Sequence, residues 1–232
     1  MARYTVAYSS FVTRLAEVET LRDLASEQES IDPIAFSPSI NALCRGTIVL
    51  LSSHVEGFIK ELGELTLERV HLRGVMRAAI VPQFFYHLSK DKLTELRDAS
   101  QPEAIAARVF DIVARDLDLW SKVGPFPRPL SAEQFNRGFA NPAFTKIKAY
   151  FKRFGYGTFT NDLAASLVAN YQPTVNMVNH VVDLRNKIAH GDIAITETPA
   201  DLTEMIRLIR TFCRSTDDVF ARWCRGSLCT IR

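Results

Sequence analysis

Residues 183–191 read Asp183-Leu-Arg-Asn-Lys-Ile-Ala-His-Gly191, and this stretch sets both the fold class and the place to look for chemistry. Projected at about 100° per residue, the segment opened by Pro173 and closed by Gly191 is an amphipathic helix. Val178, Val181, Val182, Ile188 and Ala189 make its apolar face. Asn179, Asp183, Asn186 and His190 fall on one polar stripe, spaced by four, three and four. Arg185 projects from within the apolar face. A buried guanidinium is costly unless paired and hydrogen-bonded, so Arg185 needs a carboxylate, a subunit interface or an anionic ligand. Its planar fork suits phosphate and carboxylate alike.

His190 stands at the helix C-terminus, where the dipole favours a cation and suits a side chain that takes up and returns protons. Asn186 precedes it by four residues and can orient the ring or a substrate group. Both residues also have bland readings: a histidine before a terminal glycine is an ordinary helix end, and Arg185 can simply pair with a buried acid such as Glu56.

Helical periodicity extends outward from this segment in both directions. Phe11, Leu15, Val18, Leu21 and Leu24 predict a first helix near 9–29, broken at Asp32-Pro33. Ser37-Pro38 restarts the chain as a cap before a first-turn proline. Ile40, Leu43, Thr47, Leu51, Val55, Phe58, Leu62 and Leu65 then predict one long helix over 38–68, a spine for the others. On its other side Arg45, Ser52 and Glu56 share a stripe, readable either as a partner face for Arg185 or as a solvated face.

Residues 69–135 are less regular. Pro82 interrupts an apolar run, and a helix is expected near 89–98. A stronger one spans 102–121, with Ile105, Val109, Ile112 and Val113 on one face. Val123-Gly-Pro-Phe-Pro-Arg-Pro-Leu130 is a rigid connection. Ser131 with Gln134 makes a capping box. Asn141-Pro142 is expected to cap a helix carrying Phe144, Ile147, Phe151 and Phe154, stopped at Gly155. A short helix near 160–170 follows, and Thr198 with Asp201 opens a last helix running to about 225. No segment alternates like a strand, so the fold class is all-α.

The composition narrows the function classes. With 47% hydrophobic residues the chain of 232 can bury a sizeable core, and a net charge of +2 excludes a uniformly basic coat for nucleic acid. Its length suggests a single helical domain, 1–232, with an insertion at about 69–140. Cys44, Cys213, Cys224 and Cys229 form no CxxC pair and read as reduced thiols, not a zinc site. His54 and His180 lack a metal-like companion four residues on. The N-terminus lacks a signal-peptide layout, and the most apolar windows fall below the ~20 residues that cross a bilayer. The expectation is therefore a cytoplasmic protein with no membrane contact, no metal and no cofactor. Glycine-rich phosphate loops, GxSxG and HExxH are all absent from the sequence.

Arg185-Asn-Lys-Ile-Ala-His190 resembles the R-X4-6-H motif of the HEPN superfamily. Arg45-Gly-Thr-Ile-Val-Leu-Leu-Ser-Ser-His-Val-Glu-Gly-Phe-Ile59 resembles the long, acid-bearing helix of its RiboL-PSP-HEPN branch, and the Asn141-Pro142 helix ending in Phe154-Gly155 is similar to that branch too. The likeness spans roughly residues 40–215. It implies a HEPN-like helical bundle with additional helices. It further implies a metal-independent endoribonuclease that works as a homodimer on RNA, in a toxin–antitoxin or antiviral defence setting with an antitoxin or defence-system partner. On that basis Arg185, His190 and Asn186 would be catalytic, with Glu56, Asp183 and Arg45 supporting. The alternative is a non-catalytic HEPN module that binds RNA, a nucleotide or a protein. A third reading is a purely structural helical dimer.

Overall fold

The spine forms as the spacing predicts, and it is longer. Helix α2 (Ser37–Leu72) carries Pro38 in its first turn and runs for 36 residues, about 54 Å at the α-helical rise. By length and composition it could cross a membrane. Uninterrupted apolar windows miss this, because its apolar residues recur at three- and four-residue steps between polar ones. In the computed structural model, which describes residues 3–192 and 197–232, those steps put Ile48, Leu51, Phe58, Ile59 and Leu62 wholly inside the bundle. Met1 and Ala2 of the N-terminal reading lie outside the described residues.

Three helices pack on this spine. Helix α1 (Val6–Ile31) is capped by the Thr5 hydroxyl, which accepts from the Tyr8 N–H at 3.2 Å. It turns back at Asp32, whose carboxylate accepts the N–H groups of Ile34 and Ala35. Helix α8 (Tyr171–Ala189) and helix α9 (Pro199–Ser227) complete the central layer, each against α2 and against the other. The Thr198–Asp201 capping box opens α9 as expected. Asp217 of α9 is fully buried and takes both the N–H and the hydroxyl of Thr5, which ties the start of α1 to the middle of α9.

Helices α3 (Pro82–Asp98), α4 (Pro102–Trp120) and α5 (Ala132–Asn136) make a side group, in which α3 touches both others and α5 reaches α2. Pro82 begins α3 instead of interrupting it, since a first-turn proline gives up no needed N–H. The expected helix at 89–98 is the second half of this element. The connection 123–130 is fastened by Arg77, whose guanidinium donates to the carbonyls of Val123 and Gly124. Helix α4 forms where the sequence predicts it, but its apolar face is largely uncovered. Only Leu119 and Asp116 are buried in it, while Val109, Val113 and Phe110 are 42%, 51% and 75% exposed.

Helices α6 (Phe144–Lys152) and α7 (Phe159–Leu167) close the bundle over α8 and α9. Asn141 does not cap α6: the helix begins at Phe144, after Ala143. Asn141 adopts φ 55° instead, a left-handed conformation. Pro142 disfavours the helical region for the residue before it, and the Asn141 N–H is held by Glu56 at 3.1 Å. The capping role passes to Asn179 of α8, whose side-chain oxygen accepts from the Phe144 N–H at 3.0 Å. A 3-10 turn, Val168–Asn170, then leads straight into α8, so α8 starts at Tyr171, before Pro173. Among the described residues there are nine α-helices and no strand.

Two predictions follow from the packing. A Cβ on Gly63 of α2 would come within 1.8 Å of the Tyr150 hydroxyl. That hydroxyl is fixed by its bond to the Asn136 side-chain oxygen, and Asn136 donates in turn to Glu64 at 3.0 Å. Gly63→Ala should therefore destabilise the protein by about 1–3 kcal/mol through overpacking, read from the midpoint of urea unfolding.

The second concerns His87, half-buried on α3 against the Phe135 ring. Burial pushes it down to about 4, and the cations Arg153 and Lys90 push the same way. A group with a depressed folded value contributes stability above its ordinary value near 6.5, and that stability is lost as pH falls towards 4. Between those pH values the stability of wild type should fall relative to His87→Asn. A stability difference constant across that window would contradict the assignment.

Candidate functional site

Helix α8 stops as its sequence predicts. Gly191 adopts φ 84°, where a side chain would be strained. The Asp192 N–H donates to the Lys187 carbonyl and the Gly191 N–H to the Ile188 carbonyl, both at 3.0 Å. This closure leaves His190 as the C-cap, with its backbone N–H on the Asn186 carbonyl and its side chain exposed. Asp183, Asn186 and His190 of the polar stripe line an open groove with Lys187, while Asn179 lies outside it and binds the Phe144 N–H. At the helix end the apolar face runs out, with Ile188 half-buried and Ala189 exposed.

Arg185 lies outside that groove. It is half-buried on the face of α8 that carries the buried Val178, Val181 and Val182. Its Nη1 donates to the side-chain oxygens of Asn141, at 3.0 Å, and Asn186, at 3.3 Å. No carboxylate among the described residues pairs with it. Nε and Nη2 have no acceptor among those residues either. Among the described residues the guanidinium is thus held through Nη1 by two neutral amides.

Glu56 does not anchor Arg185, which corrects the simplest structural reading. Its Oε1 takes Lys60 Nζ at 2.6 Å and its Oε2 takes the Asn141 N–H at 3.1 Å. The sequence-predicted residues therefore divide into two sets that share Asn186. Glu56, through Asn141, reaches Arg185 and Asn186. Asp183 and His190 line the groove with Asn186. Arg45 joins neither set: it is half-buried on α2, eleven residues before Glu56, or about 16 Å along the helix. Ser52 is buried, so the stripe it shares with Arg45 and Glu56 is not a solvated face.

The other titratable candidates stand apart. His54 Nε2 lies 3.8 Å from Glu17 of α1, and burial, then Arg14, holds the imidazole below its ordinary range. His180 lies 3.6 Å from Glu197. Cys44, Cys213 and Cys224 are buried and Cys229 half-buried, all as free thiols pushed up by burial.

The sequence reading missed the role of Asn141 and Asn179. The signal at Asn141 is an asparagine–proline pair whose asparagine is not the residue next to the helix. The segment 141–144 is held by Glu56 of α2 at one end and Asn179 of α8 at the other, and it presents the Asn141 amide to Arg185.

The profile of the RiboL-PSP-HEPN family matches residues 11–222, a span that takes in the motif, α2, the Asn141 segment and the side group at 69–140. Comparison with curated proteins and with solved structures returned no match. The family match is consistent with a nuclease or other RNA-related role. With nearly the whole described bundle inside the matched span, the chain belongs to the RiboL-PSP-HEPN family.

Proposed function

We propose that this protein is a metal-independent endoribonuclease, acting as a homodimer in a toxin–antitoxin or antiviral defence setting. The observation that carries this reading is that Arg185 meets two amide oxygens and no carboxylate among the described residues. Its Nε–Nη2 edge, which has no acceptor among those residues, matches two oxygens of one phosphate.

The chemistry uses this chain's own groups. Arg185 binds the scissile phosphate and stabilises the charge that grows on it. The ribose 2′-oxygen attacks the adjacent phosphorus, the bond to the 5′-oxygen breaks, and a 2′,3′-cyclic phosphate results. His190 accepts the 2′-proton, and an imidazolium supplies the proton that the leaving 5′-oxygen takes up. Asn186, which touches Arg185 and lines the groove of His190, keeps the two functions in register. Arg185 lies outside the groove that His190 lines, and the dimer reading joins the two across a subunit interface. A twofold pair of α8 helices brings the Arg185 of one protomer to the His190 of its partner around one cleft.

The test compares wild type, Arg185→Ala and His190→Ala on single-stranded and structured RNA with EDTA present. Each variant should lose at least about a hundredfold in cleavage rate. Product ends should be cyclic phosphates by mass, and RNA with a 2′-deoxy ribose at the cut should resist. Arg185→Ala should cost about 1 kcal/mol of stability or less, since its partners are neutral and only half-buried, which separates loss of activity from unfolding. RNA binding without cleavage would instead favour a non-catalytic RNA-binding module. Cleavage by a protein that sedimentation shows to be strictly monomeric would sink the composite site.

A further inference from the structure

Asn141 sits between the two elements that build the site and satisfies both. Its backbone N–H is taken by Glu56 of α2, at 3.1 Å, and its side-chain oxygen takes Nη1 of Arg185 on α8, at 3.0 Å. Its backbone is left-handed, φ 55°, immediately before a proline, a conformation that asparagine tolerates better than most side chains. Its carbonyl accepts the Ala143 N–H at 2.7 Å, which tightens the turn. Three residues after Asn141, the Phe144 N–H is fixed by Asn179. The amide aimed at Arg185 is therefore held from both sides.

The acceptor is neutral although a carboxylate is within reach of the same turn. Glu56 has both oxygens engaged, by Lys60 and by the Asn141 N–H. A carboxylate placed directly on Arg185 would neutralise it and compete with a phosphate for the same guanidinium. An amide oxygen fixes the orientation and leaves the charge for the ligand.

We infer that Asn141 is the positioning residue for Arg185, and that Glu56 acts on the site only through Asn141, by holding its left-handed turn. The inference rests on the endoribonuclease reading for its effect on cleavage, and on the geometry alone for its effect on Arg185. It assigns Glu56 no proton transfer. It also accounts for asparagine at 141 twice over, by backbone conformation and by acceptor chemistry.

Four variants separate these roles. Asn141→Gly keeps the left-handed turn and removes the acceptor. Asn141→Asp keeps the acceptor and adds a charge. Glu56→Gln keeps an oxygen for the Asn141 N–H, and Glu56→Ala removes it. The first readout is NMR of 15N-labelled arginine side chains in the full-length protein. Wild type should show restricted rotation of the Arg185 guanidinium, released in Asn141→Gly and Glu56→Ala and retained in Glu56→Gln. The second is cleavage of RNA under varied salt. Asn141→Gly should lose about ten- to a hundredfold in kcat/KM. Asn141→Asp should raise KM and reduce the salt slope of RNA binding by about one. Glu56→Gln should stay within about threefold of wild type.

Arg185 signals unchanged by Asn141→Gly would overturn the inference, whatever the cleavage data. So would wild-type cleavage by Asn141→Gly, or an inactive Glu56→Gln that keeps Arg185 ordered, which would give Glu56 a direct part in the chemistry. Wild-type protein that leaves all RNAs intact would remove the endoribonuclease reading alone, and the NMR result would still decide the placement of Arg185.

Discussion

Burial of the α2 apolar stripe is the constraint on which everything else depends. Phe58, Ile59 and Leu62 are wholly buried, and Phe58 meets Phe11 of α1 with ring centroids 5.5 Å apart. Each such side chain contributes roughly 1.5–3 kcal/mol on leaving water. A helix this long offers one continuous surface, so α1, α8 and α9 take their places by packing on it and not by local connection. Gly63 shows how close the fit is, because α2 admits Tyr150 only where a side chain is missing.

The site is a by-product of that packing. Once α8 lies against α2, Glu56 and Asn179 face the same short segment from two helices and hold it between them. That segment has no room for an ordinary helix start, because its asparagine precedes a proline and its N–H is already taken. The resulting turn brings a neutral oxygen to Arg185. The bundle thus settles the electrostatics at this point. Most other exposed or half-buried arginines of the central layer end on carboxylates, as Arg14 does on Glu61 and Arg210 on Glu19. Arg185 ends on amides.

The covering of apolar faces separates the side group from the central layer. Helix α4 leaves Val109, Phe110, Val113 and Leu117 in solvent, whereas the corresponding faces of α2 and α9 are covered. Its amphipathic spacing is as regular as theirs. Periodicity reports that a helix has an apolar face; whether another element comes to cover it depends on where the chain goes next, and after α4 the proline-rich connection is pinned to Arg77.

The sequence by itself determined most of the helices, some of their starts and the end of α8, because these depend on spacing and on residues a few positions apart; Ser37, Asn141 and Pro173 do not take the helix-start places it assigns them. Gly191, Pro38, Pro102 and the Thr198–Asp201 box act locally, and the structure places each where the sequence does. The six-residue motif and the long acid-bearing helix were also legible, and the family follows from them. Only the tertiary structure decided what Arg185 touches. Its acceptor is 44 residues away in the chain, and the carboxylate that holds that acceptor is another 85 away from it. Helical projection placed Arg185 correctly as a cation against an apolar face, and could go no further. Whether such a cation is neutralised by an acid or kept free by an amide is a matter of which distant side chain packing delivers to it.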